Sequence, residues 1–386
     1  MKNRILITCS KGITPFLKEE VLALGFPVLE VSSASVTTEG KMDDVLRLNM
    51  FIKTGQRVLY LLKEFEARNP DELYREVYSV EWEDYIDKDG YICVTSSVEN
   101  PSIRDSRYAN LKCKDAIVDR MIETCGQRPD SGSERDRTVI FLYWKDSRCS
   151  VYLDTSGQPL SRRGYRKIPL RAPMQETLAA AVICATGWDG GRNFINPMCG
   201  SGTLAIEAAL ISLKRAPGLL RDNYGFMHLK GFNGALWHEL RRKTEKDANK
   251  ALKGRIIASD INHEAVDAAR KNAAAADVAH VIEFIVCDYA QTPVPDKGGV
   301  VVLNPEYGER MGRINELANT YKGIGDYFKQ KCAGYTGYIF TGNLDLARKV
   351  GLRPKRRIPF FNSSIECRLL AYDLYEGSTK TAKARP

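Results

Sequence analysis

After Pro173 the sequence alternates between helical segments and short apolar strands, and this alternation restricts the possible folds more than any other feature. Helices are predicted at residues 175–185, 203–213 and 264–276, and strands at 192–195, 255–259, 281–286, 299–303 and 338–341. This order is typical of an α/β fold, a doubly wound parallel sheet with helices on both faces. Such sheets bind ligands at the carboxyl ends of their strands. We therefore predict an α/β domain over residues 173–376 with its site at that edge.

The first 157 residues have a mixed α+β pattern. The predicted elements are strands at 4–9, 90–95, 138–143 and 149–153, a helix from Thr14 to Gly25, a helix at 109–125 and a loop at 128–133. They predict two small α+β units, at 1–65 and 66–157. At the other end of the chain, residues 377–386 have too little apolar content to pack and are predicted to be disordered.

Basic residues outnumber acidic ones, and the formal net charge of +9 favours an acidic partner such as an RNA phosphate backbone. Positive charge is dense at 160–167, within a predicted linker at 158–172 that Pro169 and Pro173 keep from being helical. RNA contact is one interpretation of this segment, and a solvated connector is the other. Its candidate RNA-binding residues are Arg162, Arg163, Tyr165 and Arg166.

The spacing of cysteines and histidines argues against disulfides and metal sites. The ten cysteines are scattered from Cys9 to Cys367 without a Cys-x-x-Cys pair, and the four histidines lack helical ligand spacing. We expect reduced thiols, no metal and a cytoplasmic protein. The apolar run Ile5-Leu-Ile7 is too short for a signal peptide, and no run approaches the roughly 20 residues that cross a bilayer.

The loop at 196–203 is the candidate cofactor site, because it follows an apolar strand and opens an apolar helix. Gly200 and Gly202 allow a sharp turn in which backbone N–H groups approach a ligand closely. The loop lacks the Lys-Ser/Thr pair of a phosphate loop and the third glycine of a dinucleotide fingerprint, so a ligand without a pyrophosphate fits better. Packing alone can also place two glycines at such a turn. The candidate residues are Asn196, Pro197, Met198, Cys199, Gly200, Ser201, Gly202 and Thr203.

An acid at the end of a second strand is expected to bind a ribose diol of the ligand. Asp222 has the usual spacing of about 20 residues, but no predicted strand precedes it. Asp260 directly follows one, so we choose Asp260 and treat the intervening segment as an insertion. Asp288 also follows a strand and is a candidate partner for an adenine amino group, with Tyr289 or Ile261 against the ring. Each acid could instead cap a helix.

The loop Asn304-Pro-Glu-Tyr307 follows the predicted strand 299–303 and reaches the same edge as the glycine loop. Methylation of an exocyclic amine requires both N–H bonds to be held while the nitrogen becomes pyramidal. The Asn304 side-chain oxygen and the Pro305 carbonyl could accept those hydrogens, and Tyr307 could stack on the base. The donor would be S-adenosylmethionine, held in line about 3 Å from the nitrogen. An ordinary Asn-Pro turn is the alternative.

At these motifs the chain resembles class I methyltransferases with an amino-terminal THUMP domain, in particular bacterial 23S ribosomal RNA guanine-N2 methyltransferases. The shared segments are Lys11-Gly, 104–119, Arg163-Gly-Tyr-Arg166, 172–181, Pro197-Met-Cys-Gly-Ser-Gly-Thr203, Ile206-Glu-Ala-Ala209, Ala216-Pro-Gly218, Asp260-Ile-Asn262, Ala269-Arg-Lys-Asn272, Tyr307-Gly-Glu-Arg310 and Ile365-Glu-Cys367. The resemblance implies a ferredoxin-like segment at 1–65, a THUMP RNA-binding domain at 66–157 and a Rossmann-like catalytic domain. It also implies donor contacts from Asn262 and RNA contacts from Arg107, Lys112 and Lys114. Some relatives add a second methyltransferase domain, for which this sequence has no space, so one methylation is expected.

Two residues depart from the pattern of that family. Asn196 stands where an aspartate helps to hold the cationic amino group of the donor, and the lost charge is worth on the order of 1 kcal/mol. Glu306 replaces a second proline that stiffens the loop, which predicts slower chemistry or altered substrate choice. Because Asn304, Pro305 and Tyr307 are present, we expect activity. The alternatives are protein glutamine methylation, which uses a similar loop, and a catalytically decayed RNA-binding protein.

Overall fold

The computed structural model describes residues 2–100, 103, 105–168, 173–249, 251–307 and 314–375. The predicted tail at 377–386 lies outside these residues, as do Arg104, Ala172 and positions 308–310 of the shared segments. The chain forms two compact units. The amino-terminal unit comprises the residues up to Ser10, Leu17–Arg162 and Pro217–Lys246, and the carboxyl-terminal unit comprises Lys11–Phe16, Arg163–Ala216 and the residues from Asp247 onward.

The amino-terminal unit contains a mixed eight-stranded sheet of order β2-β3-β1-β4-β8-β7-β5-β6. Its strands are β1 (Asn3–Thr8), β2 (Glu30–Val31), β3 (Ser35–Gly40), β4 (Arg57–Glu66), β5 (Tyr91–Glu99), β6 (Asp130–Ser131), β7 (Thr138–Lys145) and β8 (Arg148–Asp154). Antiparallel pairing of β4 with β8 makes one continuous sheet from the two segments predicted at 1–65 and 66–157. Residues 128–133 were predicted as a loop, which is wrong for β6, because Asp130 and Ser131 pair in parallel with β5.

Helices contact this sheet along β4 and β5. The helices are α1 (Thr14–Ala23), α2 (Asp44–Phe51), α3 (Pro70–Tyr78), α4 (Ser106–Cys125) and, in the insertion, α7 (Gly234–Asp247). The Asp105 side chain caps the start of α4 by accepting from the Arg107 N–H, and Gly126 ends the helix with a left-handed φ of 68°. Pro217–Lys246, most of the predicted insertion, belongs to this unit.

The carboxyl-terminal unit contains the predicted doubly wound sheet, in the order β11-β10-β9-β12-β13-β15-β14. Its strands are β9 (Asn193–Pro197), β10 (Ile256–Asp260), β11 (Ile282–Val286), β12 (Gly299–Leu303), β13 (Tyr335–Thr341), β14 (Arg356–Asn362) and β15 (Ile365–Asp373). Strands β9 to β13 pair in parallel, and β15 pairs antiparallel with both β13 and β14. The prediction of a parallel α/β sheet is therefore confirmed, and the antiparallel β14–β15 hairpin is an addition.

Five helices belong to this sheet. They are α5 (Glu176–Thr186), α6 (Thr203–Ser212), α8 (His263–Ala275), α9 (Ile314–Lys331) and α10 (Leu344–Lys349). All residues of β9 and β12 are buried, as expected for central strands covered on both faces. A core that includes Ile195, Ile257, Val301 and Tyr321 fills the space between this sheet and α9. No helix in the described part of the chain has both the length and the apolar character to cross a membrane.

Candidate active site

The candidate site lies where the strand order reverses, between β9 and β12. Strand β9 pairs in parallel with β10 on one side and with β12 on the other. The register sets Pro197 beside Ser259 and Ile195 beside Val301, so the three strands end at one edge. The glycine loop (198–202) and the amino-group loop (304–307) both start from this edge. Such a switch point is where doubly wound sheets bind ligands.

The glycine loop has a strained backbone with room for a ligand on one side. Met198, Gly200 and Gly202 all have positive φ values, of 56°, 54° and 82°, and for methionine this conformation is costly. A Cβ on Gly202 would meet the Cβ of Ala269 at 2.8 Å, so this glycine is needed for close packing on α8. A Cβ on Gly200 would have no atom within 4 Å. The loop is therefore packed at Gly202 and open at Gly200.

Asp260 is the acid that contacts this loop. One carboxylate oxygen accepts from the Gly200 N–H at 3.0 Å, and the other accepts from the Asn262 N–H at 3.0 Å. Asn262 in turn caps α8 by accepting from the Glu264 N–H at 2.8 Å. The competing candidate, Asp222, has a fully exposed side chain and belongs to the amino-terminal unit. Of the two acids, the structure brings only Asp260 to the glycine loop.

Three buried side-chain oxygens at this edge have no hydrogen-bond partner among the described residues. They are Asn196 Oδ1, Thr203 Oγ1 and Asn304 Oδ1. Asn196 is fully buried, and its amide nitrogen donates to the Val302 carbonyl at 2.9 Å. Buried polar atoms in folded proteins are nearly always paired. Other described residues also have an unpaired buried side-chain atom, namely Ser96, Asn110, Thr177, Arg215, Tyr327 and Tyr372. The three oxygens differ from these in lying together at the ligand-binding edge of the sheet, where a ligand would donate hydrogen bonds to them.

The amino-group loop is held from the side of the β14–β15 hairpin. The Asn362 amide donates to the Tyr307 hydroxyl at 2.9 Å. A Cβ on Gly342 would lie 3.1 Å from two carbons of the Tyr307 ring, so the ring packs directly over this glycine. Pro305 is buried, whereas Glu306 is exposed and places its charge in solvent.

Asp288 and Tyr289 follow β11, at the far side of β10 from the glycine loop. The Asp288 side chain accepts from the Ala290 N–H at 2.8 Å and so caps a short 3-10 helix. The Tyr289 ring packs edge-on against Tyr327, and burial raises the pKa of its hydroxyl. Ile261 is 71 % exposed and is available to an aromatic ring. The adenine roles of these residues stay predictions.

Arg163 and Tyr165 were predicted to contact RNA, and for these two residues the prediction is wrong because both are 1 % exposed. Arg163 forms a bidentate ion pair with Glu207, with N–O distances of 2.8 and 3.2 Å, and the Tyr165 hydroxyl donates to the same carboxylate at 3.1 Å. Burial alone would lower the pKa of Arg163, but the Glu207 carboxylate raises it. The chain at Arg163 and Tyr165 is thus anchored in the carboxyl-terminal unit by buried side chains rather than solvated.

Arg166, another predicted RNA contact, instead supports the glycine loop. Its guanidinium donates to Ser201 Oγ at 3.1 Å, to the Glu176 carboxylate at 3.0 Å and to the Met174 carbonyl at 2.8 Å. Asn272 adds a second tie, because its side chain bonds the backbone of both Ile168 and Ser201. These bonds indicate that Arg166 positions the glycine loop, a role that was not predicted from the sequence.

Glu176, Glu207 and Asn272 are the residues of this arrangement that were not predicted. A signal for two of them was present, because Glu176 and Glu207 are the lone charged residues of the otherwise apolar helices α5 and α6. A carboxylate on a buried helix requires a cation. The dense arginines at 160–167 could have been matched to them.

The other predicted RNA contacts are more exposed. Arg107 is 87 % exposed and pairs with Asp105, Lys112 lies 5.9 Å from the centre of the Tyr74 ring, and Lys114 pairs with Asp115 at 3.0 Å. Arg162 is exposed and donates to the Gln158 side chain at 3.0 Å. Their RNA contacts stay predictions. Within the described ranges, no group of three or more His, Cys, Asp or Glu residues could hold a metal ion, and each of the ten cysteines is a free thiol.

Comparison with known protein families shows which family the chain belongs to. The RMKL-like methyltransferase domain matches residues 163–371, which is more than half of the chain. The chain belongs to this methyltransferase family. The RlmL ferredoxin-like domain matches residues 4–59, and the THUMP domain matches residues 67–154. The predicted resemblance is therefore confirmed, and with it the fold class of each segment.

Individual relatives support the family. A ribosomal RNA large subunit methyltransferase K/L from Syntrophotalea carbinolica is 35 % identical over 97 % of this chain, but the chain spans only 54 % of that relative. A Synechocystis sp. protein with a provisional RNA methyltransferase name is 32 % identical and matches over nearly its full length, with 95 % of this chain and 96 % of the relative covered. The crystal structure of SMU.472 complexed with SAH has 26 % identity and a TM-score of 0.88, covering 98 % of this chain and 99 % of that one.

Proposed function

We propose that this chain transfers a methyl group from S-adenosylmethionine to the exocyclic N2 of a guanine in 23S ribosomal RNA. The observation that carries the proposal is the buried Asn304 Oδ1, which has no partner among the described residues and directly follows β12, the strand beside β9. An acceptor in this position suits an amine that must lose a proton while its nitrogen attacks. One relative named for ribosomal RNA methylation and another named for RNA methylation support RNA as the substrate class.

The residues of the glycine loop fit the methyl donor. Asn196 Oδ1 and Thr203 Oγ1 are buried acceptors without partners among the described residues, and they suit an amino acid end with ammonium hydrogens. The space beside Gly200 lets the donor approach the backbone, and Asp260 is within reach of a ribose diol. When bound, the donor supplies an electrophilic methyl group on a sulfonium. The protein then has only to hold both reactants in line.

The amino-group loop is suited to the acceptor base. Asn304 Oδ1 accepts one N–H of the exocyclic amine, and the Pro305 carbonyl accepts the other, which directs the nitrogen lone pair toward the methyl carbon. Tyr307 supplies an aromatic surface for the base, with its hydroxyl fixed by Asn362. Because a base in a stem must first be unstacked, at a few kcal/mol, stacking on Tyr307 offsets part of that cost.

The two departures from the family pattern are compatible with activity. The Asn196 amide donates to Val302, which a carboxylate could not do, and still leaves an oxygen free for the donor. Glu306 is exposed, so its charge is screened by water rather than forced against the base. We infer an active enzyme with a weaker hold on the donor than a carboxylate at position 196 would give.

The test is label transfer followed by nucleoside analysis. The protein is incubated with S-adenosylmethionine labelled in its methyl group and with ribosomal RNA from cells that lack this modification. We expect label in N2-methylguanosine, and the absence of label from this nucleoside would refute the proposal. Label in a ribonuclease-resistant protein band would favour glutamine methylation. Failure to bind S-adenosylmethionine in a calorimetric titration would favour a decayed RNA-binding protein.

A further inference from the structure

A short stretch of the carboxyl-terminal unit carries much of the positive charge of the chain. Residues 344–358 contain six bases and one acid, Asp345, a net charge of +5 against +9 for all 386 residues. The six bases are Arg348, Lys349, Arg353, Lys355, Arg356 and Arg357, and all six are exposed. We call these six residues the basic edge. Neither the glycine loop nor the amino-group loop uses any of them.

Most of this charge has no acidic partner. Arg348 pairs with Asp345 at 2.7 Å, and Lys355 pairs with Asp373 at 2.8 Å. The other four bases, namely Lys349, Arg353, Arg356 and Arg357, form no ion pair with any described residue. Clustered like charges repel one another and so oppose folding slightly, which an anionic partner would relieve.

The fold places this charge on an outer strand. Strand β14, which starts at Arg356, is the last strand in the order of the sheet, and among the described residues it pairs with β15 alone. Since successive side chains of a strand point to opposite faces, Arg356 and Arg357 present charge on both faces of the sheet edge. The basic edge thus lies along the outer margin of the sheet and exposes charge on both faces. Binding to a membrane surface would instead need the charge on one flat face.

Strand β14 also leads to the candidate site. It runs antiparallel to β15, which runs antiparallel to β13, so β14 points toward the same edge as β12 and β13. Its last residue, Asn362, holds the Tyr307 hydroxyl at 2.9 Å. At about 3.3 Å per residue, Arg357 lies roughly 17 Å from Asn362. This distance equals about five steps of a stacked nucleic acid strand at 3.4 Å per step.

We propose that the basic edge binds the phosphate backbone of the RNA that flanks the target nucleotide. Four of its six residues are arginines, which bind phosphate oxygens through two donors at once. A backbone lying along β14 would then enter the site beside Tyr307. The inference rests on the proposed function for the choice of RNA, but it concerns a surface that contacts neither the donor nor the reacting base.

The experiment compares salt-dependent RNA binding of three full-length proteins. They are the wild type, an edge variant (Arg353→Gln, Arg356→Gln, Arg357→Gln) and a control variant (Lys214→Gln, Lys253→Gln, Lys271→Gln) that loses the same charge from other exposed positions of the same unit. The probe is a fluorescein-labelled RNA hairpin with a guanine in its loop, measured by anisotropy across a salt series. S-adenosylhomocysteine affinity and the unfolding midpoint are measured for each protein.

The edge variant should bind the hairpin about tenfold or more weakly at low salt, with the slope of log K against log salt reduced by about 2 to 3. The control variant should keep the wild-type slope to within about one unit. S-adenosylhomocysteine affinity and the unfolding midpoint should stay unchanged in both variants. Equal slopes for the edge and control variants would overturn the proposal, as would a wild type that binds no RNA or binds polyglutamate as tightly as RNA. Lack of N2-methylguanosine alongside the expected slopes would refute the proposed function but not the RNA surface.

Discussion

The Asn196 amide nitrogen donates to the Val302 carbonyl at 2.9 Å, and this bond connects the carboxyl ends of strands β9 and β12. The glycine loop follows β9 and the amino-group loop follows β12, so one buried side chain links the two strands from which these loops start. The other end of the same side chain, Oδ1, is buried without a partner among the described residues. Asn196 therefore combines a structural bond with a free acceptor, and the two can be separated by mutation.

The substitution Asn196→Asp should change donor affinity and stability in opposite directions. A carboxylate cannot donate to Val302, and losing a buried hydrogen bond costs about 1–3 kcal/mol of unfolding free energy. The same carboxylate would attract the ammonium of the donor, which is worth about 1 kcal/mol, or roughly fivefold in Kd. We expect tighter S-adenosylmethionine binding by calorimetry and a lower unfolding midpoint. Asn196→Ala is the control and should lose both. Parallel changes in Asn196→Asp would contradict this division.

The substitution Arg163→Ala should destabilise the protein and leave RNA affinity unchanged. It would leave the fully buried Glu207 carboxylate without its cation, which costs about 3–5 kcal/mol of unfolding free energy. Denaturant unfolding measures this loss, and the double variant Arg163→Met, Glu207→Leu should recover most of it because no charge is then stranded. A folded Arg163→Ala protein with wild-type stability and weakened RNA binding would restore the original prediction of an RNA contact.

The Arg166–Ser201 contact should matter for donor binding, and Arg166→Ala should in addition cost stability, because it leaves the buried Glu176 carboxylate without its cation. Either Arg166→Ala or Ser201→Ala frees the glycine loop on one side, so each should weaken S-adenosylhomocysteine binding by about three- to tenfold, equivalent to the 0.5–1.5 kcal/mol of one hydrogen bond. If the effect passes through this bond, the double variant should lose little more than the worse single variant. Calorimetric titration of the four proteins measures the cycle. Fully additive losses would show that the two residues act independently.

The substitution Gly342→Ala should disturb Tyr307 without touching a ligand. The added methyl would lie 3.1 Å from the Tyr307 ring and 2.9 Å from a methyl carbon of Ile365, so the ring must move. We expect a lower kcat at saturating RNA, with S-adenosylhomocysteine affinity unchanged. Tyr307→Phe is the matched control, because it keeps the ring and removes the hydroxyl that accepts from Asn362 and Cys367, and it should lose less than Tyr307→Ala. An unchanged kcat in Gly342→Ala would argue against a stacking role for Tyr307.

The sequence predicted the parallel strands of the carboxyl-terminal sheet well because the central strands are buried on both faces. Strand β12 is apolar throughout, and β9 has the apolar pair Phe194-Ile195 at its centre. It also favoured Asp260 over Asp222 correctly as the acid beside the glycine loop, since a strand precedes only the former. The basic segment was misread for Arg163 because local charge density does not show that a carboxylate 44 residues away, on an apolar helix, pairs with it. The lone carboxylates of α5 and α6 indicate that cations are needed there, but which arginine pairs with which carboxylate depends on tertiary packing, which a single sequence does not display.

The predicted border at residues 65 and 66 lies between the match to the RlmL ferredoxin-like domain at 4–59 and the match to the THUMP domain at 67–154, but one sheet crosses it. Strand β4, which ends at Glu66, pairs with β8, which starts at Arg148, so hydrogen bonds continue across the predicted border at residues 65 and 66. Part of the insertion, Pro217–Lys246, packs with the amino-terminal unit although its sequence neighbours do not. Chain order alone gives no sign of such an exchange.

The central claim is that Asn304 Oδ1 holds the amine that is methylated. The most direct measurement is the single-turnover rate of methyl transfer by Asn304→Ala, with enzyme saturated by donor and RNA, beside its affinity for each. Loss of an acceptor used in the transition state should lower this rate by about 10²- to 10³-fold, while the affinities for S-adenosylhomocysteine and RNA stay within about threefold of wild type. A rate near that of the wild type, with the variant folded and both ligands bound, would contradict the account.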